Sequence, residues 1–343
     1  MRNLCLVIFC IVGVCRFSNA MTTTEIYLTG YIIKANEDEV GEILSRIGPI
    51  QSVKISGRDA DDFAVTRSNI LKVKRGKLPA GKSRFEIVVA VVTAAGKYSG
   101  AFTILKDEFV RNKVVAHRGA WKNTSVPENS IASFQQAVRL GCEGSEFDVH
   151  MTADSLPVVN HDASIQGTSI ARTPSSILLK KTLSNGEPIP TLESYIKAGM
   201  DQRQTKLILE IKSSELGKEG SIALTRKIVE LVERMQAQAW TDYIAFDYDV
   251  CKEVMRLAPY AKVAYLNGDK TPQELGDNRF FGLDYNIRVI EKNSAWIAEA
   301  HSRNLTVTVW TVNDEDVMKK LLSQRVDFIT TNEPERLLEL IKK

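Results

Sequence analysis

Eight polar residues stand in or at the ends of apolar runs, and their types suit chemistry on a charged substrate. His117-Arg118 follows Val114-Val115-Ala116, and Glu146-Phe147-Asp148 lies inside "GSEFDVHM". Glu210-Ile211-Lys212 closes "KLILEIK", and His161-Asp162 follows "LPVVN". In a strand, residues i and i+2 share a face, so Glu146 points with Asp148 and Glu210 with Lys212. A single histidine of this kind is ordinarily a hydrogen-bonded core residue; the joint occurrence is what points to a site. Three carboxylates aimed into one mouth repel each other and raise at least one pKa. A divalent cation removes that penalty, and an all-oxygen ligand set suits Ca2+ or Mg2+ rather than zinc. Arg is almost never buried unpaired, so Arg118 and Lys212 beside such a cation indicate an anionic substrate. With two histidines, the set points to phosphodiester chemistry.

These residues need a frame that gathers strand ends. From residue 113, eight apolar runs alternate with amphipathic segments: "KVVAH", "GSEFDVHM", "KLILEIK", "DYIAFD", "AKVAYL", "FFGLDYN", "TVTVWTV" and "DFITT". Near-continuous apolar strands belong to parallel sheets covered by helices. Eight in about 230 residues is the arithmetic of a (β/α)8 TIM barrel, whose functional groups sit at the carboxyl ends of the strands. An open doubly wound sheet is the runner-up, but no glycine-rich phosphate fingerprint follows the first run. The fold class is therefore read as α/β, the barrel spanning 111–343. A small all-β, sandwich-like domain over 21–110 precedes it. There, "FAVTRSNILKV" reads as a hairpin turning at Ser68-Asn69, and "RFEIVVAVVTA" returns through a turn at Ala95-Gly96-Lys97. "EDEVGEILSRIG" (37–48) reads as a helix or an irregular edge strand. The domain faintly resembles immunoglobulin- or cadherin-like modules and carries no specific motif.

Composition sets the context. Of 343 residues, 44% are apolar and 25% charged, as in ordinary globular proteins. Residues 1–20 join a basic start at Arg2, an apolar run from Leu4 to Val14 and the small-residue signal Ser18-Asn19-Ala20. This is a secretory signal peptide, too short to span a bilayer. The chain is expected to be exported, to the periplasm or outside the cell. A lipid anchor at Cys15 is less favoured, because Val14 is larger than the residue usual before such a cysteine. Without residues 1–20, Lys plus Arg falls from 45 to 43 against 42 acids, a net charge of +1. No basic footprint for nucleic acid remains, and no later run reaches the roughly 18 apolar residues of a transmembrane helix. Cys142 and Cys251 are expected to be buried free thiols. Oligomeric state is not legible.

The motifs, taken together, are those of a known family. "AHRGA", "PENS", "EFDV", "TAD" and "PVVNHD" within 116–162, then "LEIK" (209–212), "VWTVND" (309–314) and "FITTNEPERL" (328–337), resemble the glycerophosphodiester phosphodiesterase family in order, spacing and residue type. The resemblance covers 113–343. It implies hydrolysis of a small-molecule glycerophosphodiester to sn-glycerol 3-phosphate and an alcohol. Glu146, Asp148 and Glu210 would bind the metal, and His117 and His161 would be the acid/base pair. Arg118 and Lys212 would hold the phosphate. Which histidine is the acid stays open, with a lean towards His117.

Glu128 and Asn129 are expected to support the site from behind, although direct contact and a structural role remain open for Glu128. Asn129 or Ser130 would cap the following helix. Gly119 would let the backbone turn without crowding the ligand. Trp310 is an apolar wall beside the alcohol or a barrel-core residue. His150 is read as a surface position, with a place lining the mouth as the alternative, and His301 as a solvated position on a polar helix face. Ser130 and Asp154-Ser155 depart slightly from the family pattern, and 163–190 falls where the family varies. A related enzyme acting on intact phospholipid is the near alternative, and it should carry exposed apolar loops at the mouth; 163–190 is mostly polar. A non-catalytic binding protein is the remaining alternative.

Overall fold

The computed structural model describes residues 25–74 and 78–342; the expected signal peptide, its cysteines and Cys15 lie outside them. All eight anticipated barrel strands form, at Val114–Ala116, Gly144–Met151, Lys206–Ile211, Thr241–Ala245, Val263–Tyr265, Gly282–Asn286, Thr306–Trp310 and Phe328–Thr331. Each pairs in parallel with the next, from Gly144↔Lys206 round to Thr308↔Phe328. The eighth pairs with the first at Ile329↔Val114, and the first with the second at Val115↔Gly144, which closes the ring. Helices follow every strand, among them Ile131–Leu140, Lys218–Met235, Tyr248–Leu257 and Glu315–Ser323. Their apolar stripes pack on the ring, as Leu224, Ile228 and Val232 do from the longest.

An added strand, Pro157–Val159, pairs antiparallel with the end of the second barrel strand, His150 opposite Val158. It delivers His161 back to the strand end. Beyond it, the segment to residue 190 builds a small core from Val158, Ile165, Ile170, Leu178 and Ile189.

Residues 26–106 form two four-stranded sheets. One holds Ile26–Leu28, Glu39–Ser45, Ile70–Val73 and Phe63–Val65; the other holds Ile32–Ile33, Gly96–Lys106, Arg84–Thr93 and Ile50–Ser56. Phe63 of the first meets Phe85 of the second edge-on, with ring centres 5.7 Å apart. Strand Arg84–Thr93 alternates buried and half-exposed residues, as a sheet with one covered face requires. The segment 37–48 is a strand with a bulge near Gly41, not a helix. The hairpin turn falls one residue earlier than expected, since Thr93 pairs with Gly96 and leaves Ala94-Ala95 as the loop. Strand Ile32–Ile33 runs parallel to its neighbour, so the sheets are not wholly antiparallel.

These sheets dock at the end of the barrel where its strands begin. Arg46 reaches Glu233 at 2.9 Å, Thr103 donates to Gln236 at 2.8 Å, and Tyr31 packs edge-on against Tyr260. Glu233 and Gln236 end the helix before the fourth strand, and Tyr260 precedes the fifth. The contacts therefore lie opposite the strands' carboxyl ends.

Candidate active site

The carboxyl ends of the strands gather the anticipated residues around a cavity of about 120 Å³. His117, Arg118, Glu146, His161, Glu210, Lys212 and Trp310 line it, with Ile244, Phe246, Leu266 and Asp284. A larger cavity, about 240 Å³, occupies the opposite end of the barrel and holds neither histidine of the pair.

Glu146, Asp148 and Glu210 are buried, and each presents an oxygen within 4.8 Å of the other two. Burial, then Asp148 and Glu210, push Glu146 well above the usual carboxylate range. Burial, then Asp148, push Glu210 up to about 7. Glu146 Oε1 has no hydrogen-bond partner among the described residues, a costly state for a buried carboxylate. Lys212 Nζ lies 2.9 Å from Glu210 and 3.2 Å from Asp148. Burial pulls its pKa down, but the two carboxylates outweigh that and hold the ammonium above its ordinary value.

Arg118 adopts a left-handed backbone at φ 57°. Its N–H donates to Glu146 at 2.9 Å, and its Nη1 donates to both Glu128 oxygens at 3.0 and 3.1 Å. Its Nε lies 3.8 Å from Asp148. The Glu128 carboxylate thereby grips Arg118. Asn129 braces Asp148 from both sides, donating from Nδ2 at 2.9 Å and accepting the Asp148 N–H at 3.0 Å. Ser130, not Asn129, caps helix Ile131–Leu140 by accepting the Ser133 N–H. Gly119 is required for a different reason from the one expected. A Cβ there would lie 2.3 Å from Ser133 Oγ and 2.7 Å from its carbonyl carbon, so the crowding is with the helix.

His117 Nδ1 is 2.8 Å from Asn332 Oδ1, and its Nε2 is 4.0 Å from Glu146. Burial, then the Arg118 charge, push its pKa down to about 4. His161 is more open, with Nδ1 2.8 Å from Asp162. Trp310 is on the cavity wall: its Nε1 donates to the Asp284 carbonyl at 2.9 Å, and its ring meets Phe246 edge-on at 5.5 Å.

One histidine sits differently from its expected surface position. His150 is buried, and its Nε2 is 3.1 Å from the His161 carbonyl, so it holds the loop that carries His161. His301 is exposed, as expected, and paired with Asp327 at 2.9 Å. Cys142 and Cys251 are buried free thiols, as anticipated.

Asp284, Asn332 and Phe246 were not singled out in the sequence. An acid in the middle of the apolar run "FFGLDYN" was the available signal for Asp284, since Asp is rarely buried without a partner. Burial, then Glu210, push it up to about 8. Asn332, next to the last strand, and Phe246, next to the fourth, had only their strand-end positions to mark them.

Residues 117–336 match the model of the glycerophosphoryl diester phosphodiesterase family. A glycerophosphodiester phosphodiesterase of Caldanaerobacter subterraneus is 27% identical over 252 residues, which are 68% of this chain and 99% of the relative. The crystal structure of a glycerophosphodiester phosphodiesterase from Parabacteroides distasonis superposes with a TM-score of 0.66 at 41% identity, covering 68% of this chain and 98% of that one. An Oleispira antarctica phosphodiesterase, solved with sn-glycerol-3-phosphate, shares the fold at 24% identity and a TM-score of 0.58, over 67% and 97% of the two chains. With barrel, strand-end residues and family match in agreement, the chain belongs to the glycerophosphoryl diester phosphodiesterase family and is a hydrolase of glycerophosphodiesters.

Proposed function

We propose that this hydrolysis, releasing sn-glycerol 3-phosphate and an alcohol, depends on one divalent cation, Ca2+ or Mg2+, held by Glu146, Asp148 and Glu210. The observation that carries the reading is the trio of buried carboxylates within 4.8 Å, with Glu146 Oε1 unpartnered among the described residues. The charge balance supports it. Glu128, Glu146, Asp148 and Glu210 bring four acids against the two cations Arg118 and Lys212, an excess that a divalent ion offsets. Oxygen-only ligands fit a hard cation. Bound there, it would polarise the phosphoryl oxygens.

The chain's own residues do the rest. Lys212 and Arg118 orient the phosphate, Arg118 through a guanidinium that Glu128 fixes. With the Asn332 amide oxygen facing Nδ1, His117 carries its proton there and offers the Nε2 lone pair to the cavity. A histidine pushed down to about 4 is neutral at pH 7. This supports His117 as the base that takes the nucleophile's proton, the reverse of the lean drawn from sequence. His161, held through Nδ1 by Asp162, donates to the leaving alkoxide. Trp310, Phe246 and Leu266 form the apolar wall beside the alcohol.

In this reading the chain is exported, residues 1–20 being removed. The two sheets of 26–106 act as an immunoglobulin- or cadherin-like module, a domain of their own on the closed end of the barrel.

Chelation should abolish turnover of glycerophosphocholine, and Ca2+ or Mg2+ should restore it. Glu146→Gln should be inactive with its circular dichroism unchanged. Full turnover after exhaustive chelation, or wild-type turnover by Glu146→Gln, overturns the reading.

A further inference from the structure

Among the described residues, four large apolar side chains are exposed: Ile177 at 52%, Leu216 at 51%, Leu179 at 37% and Phe246 at 36%. All four lie in the loops after the second, third and fourth barrel strands, on the face that carries the cavity. Scattered apolar residues need no explanation, but their confinement to three adjacent loops around one mouth does.

The loops are tied to each other. Arg172 Nε lies 3.0 Å from Glu215, and Ser169 bonds the same carboxylate, which places Leu216 beside the 163–190 segment. Lys218 pairs with Asp249 and joins the third loop to the helix that follows Phe246. Phe246 borders the cavity with His161 and Trp310. The presentation is built rather than incidental. The one-turn helix Ser175–Leu178 anchors Leu178 in the segment's own core and leaves the neighbours Ile177 and Leu179 facing out. Charge follows the same pattern. Residues 163–186 contain no Asp or Glu but hold Arg172, Lys180 and Lys181. Lys180 is exposed and Lys181 half-buried, directly after Leu179, and neither has an ion pair among the described residues.

We propose that this rim docks the barrel mouth on a bilayer surface that carries anionic phospholipid head groups. Ile177, Leu179 and Leu216 would enter the boundary between head groups and acyl chains. Lys180 and Lys181 would meet the phosphates, as basic residues flanking inserted apolar ones do. A bilayer fits better than a protein partner, because the apolar residues stand on one side of an open mouth, beside Lys180 and Lys181 and a stretch without acids, the pattern that anionic head groups attract. Residues 163–190 are mostly polar, as read from the sequence, but two of their apolar residues, Ile177 and Leu179, point outwards. The proposal concerns binding and goes beyond the catalytic reading; each can fail without the other, since vesicle binding is measured without turnover.

The test uses residues 21–343, which contain every described residue and lack the apolar run at 4–14 that would itself partition into lipid. Sedimentation with phosphatidylcholine vesicles, with and without phosphatidylglycerol, is compared for three proteins. These are the parent, the triple variant Ile177→Ser, Leu179→Ser, Leu216→Ser, and the double variant Lys180→Glu, Lys181→Glu. The parent should bind phosphatidylglycerol vesicles at least roughly tenfold more tightly than pure phosphatidylcholine, and each variant should bind them roughly tenfold more weakly than the parent. Turnover of soluble glycerophosphocholine should stay within about twofold in both variants, since neither touches the cavity. Equal binding of the parent to both vesicle types overturns the proposal. So does binding of either variant that matches the parent, which would assign the patch to a protein partner or to no partner.

Discussion

Removing the cation should turn Glu210 into a pH-dependent weakness of the fold. Burial, then Asp148, raise this carboxyl from 4.5 to about 7. Between those values the folded chain holds a proton that the unfolded chain has released, so stability falls as pH rises. The contribution is intact below about 4.5 and is lost as pH climbs through about 7. At ~1.4 kcal/mol per pH unit, that span sets a ceiling of about 3 kcal/mol. The raw profile of the wild type does not isolate it. His117, pushed from 6.5 down to about 4, acts with opposite sign: it is neutral in the fold where the unfolded chain is charged, so stability rises between those values. Glu210→Gln removes the first contribution and leaves the second. The assay is urea unfolding in chelator, from about pH 5 to about pH 8, with the variant's stability subtracted from the wild type's. The difference should fall by up to about 3 kcal/mol across that range. Saturating Ca2+ or Mg2+ should restore the wild type at high pH by mass action and help the variant much less. A difference flat to within about 0.5 kcal/mol, or one indifferent to metal, would refute the reasoning about the carboxylate cluster.

Three more outcomes are expected. His117→Ala and His161→Ala should each lose roughly 10²–10⁴-fold on glycerophosphocholine, but only His161→Ala should recover on a nitrophenyl glycerophosphodiester, whose leaving group needs no proton; recovery of His117→Ala instead would reverse the two roles. A chain beginning at Arg111 should keep turnover within about tenfold while melting lower, because the contacts of Arg46, Thr103 and Tyr31 lie opposite the cavity. A larger loss in a folded chain would mean that the sheets shape the site. Gly119→Ala should cost roughly 3 kcal/mol or more in urea unfolding, since φ is 80° and the added methyl meets the Ser133 backbone; a near-neutral result would show that helix Ile131–Leu140 can retreat.

Periodicity is a local property, and what it governs was legible. Eight apolar runs separated by amphipathic segments can bury themselves only by pairing side by side under helices, so the ring was written in the chain. The two-residue repeat of a strand by itself puts Glu146 with Asp148 and Glu210 with Lys212. His117 and His161 followed from their places at the ends of "VVA" and "PVV". The small sheets were legible as strands, while the ambiguous segment 37–48 became a strand only because a neighbour at 70–73 pairs with it.

Partnerships between distant residues were not legible. Asn332 reaches His117 across 215 positions, because closure of the ring sets the last strand beside the first. That contact decides which histidine nitrogen faces the cavity. Ring closure likewise leaves Asp284 Oδ1 without a hydrogen-bond partner among the described residues, and the strand pairing His150↔Val158 turns a supposed surface histidine into a brace for His161. Ile177 and Leu178 are neighbours of similar hydrophobicity, yet one is exposed and the other buried. Only the packing of the segment around Ile165, Ile170 and Ile189 decides between them, because burial depends on what the rest of the chain brings alongside.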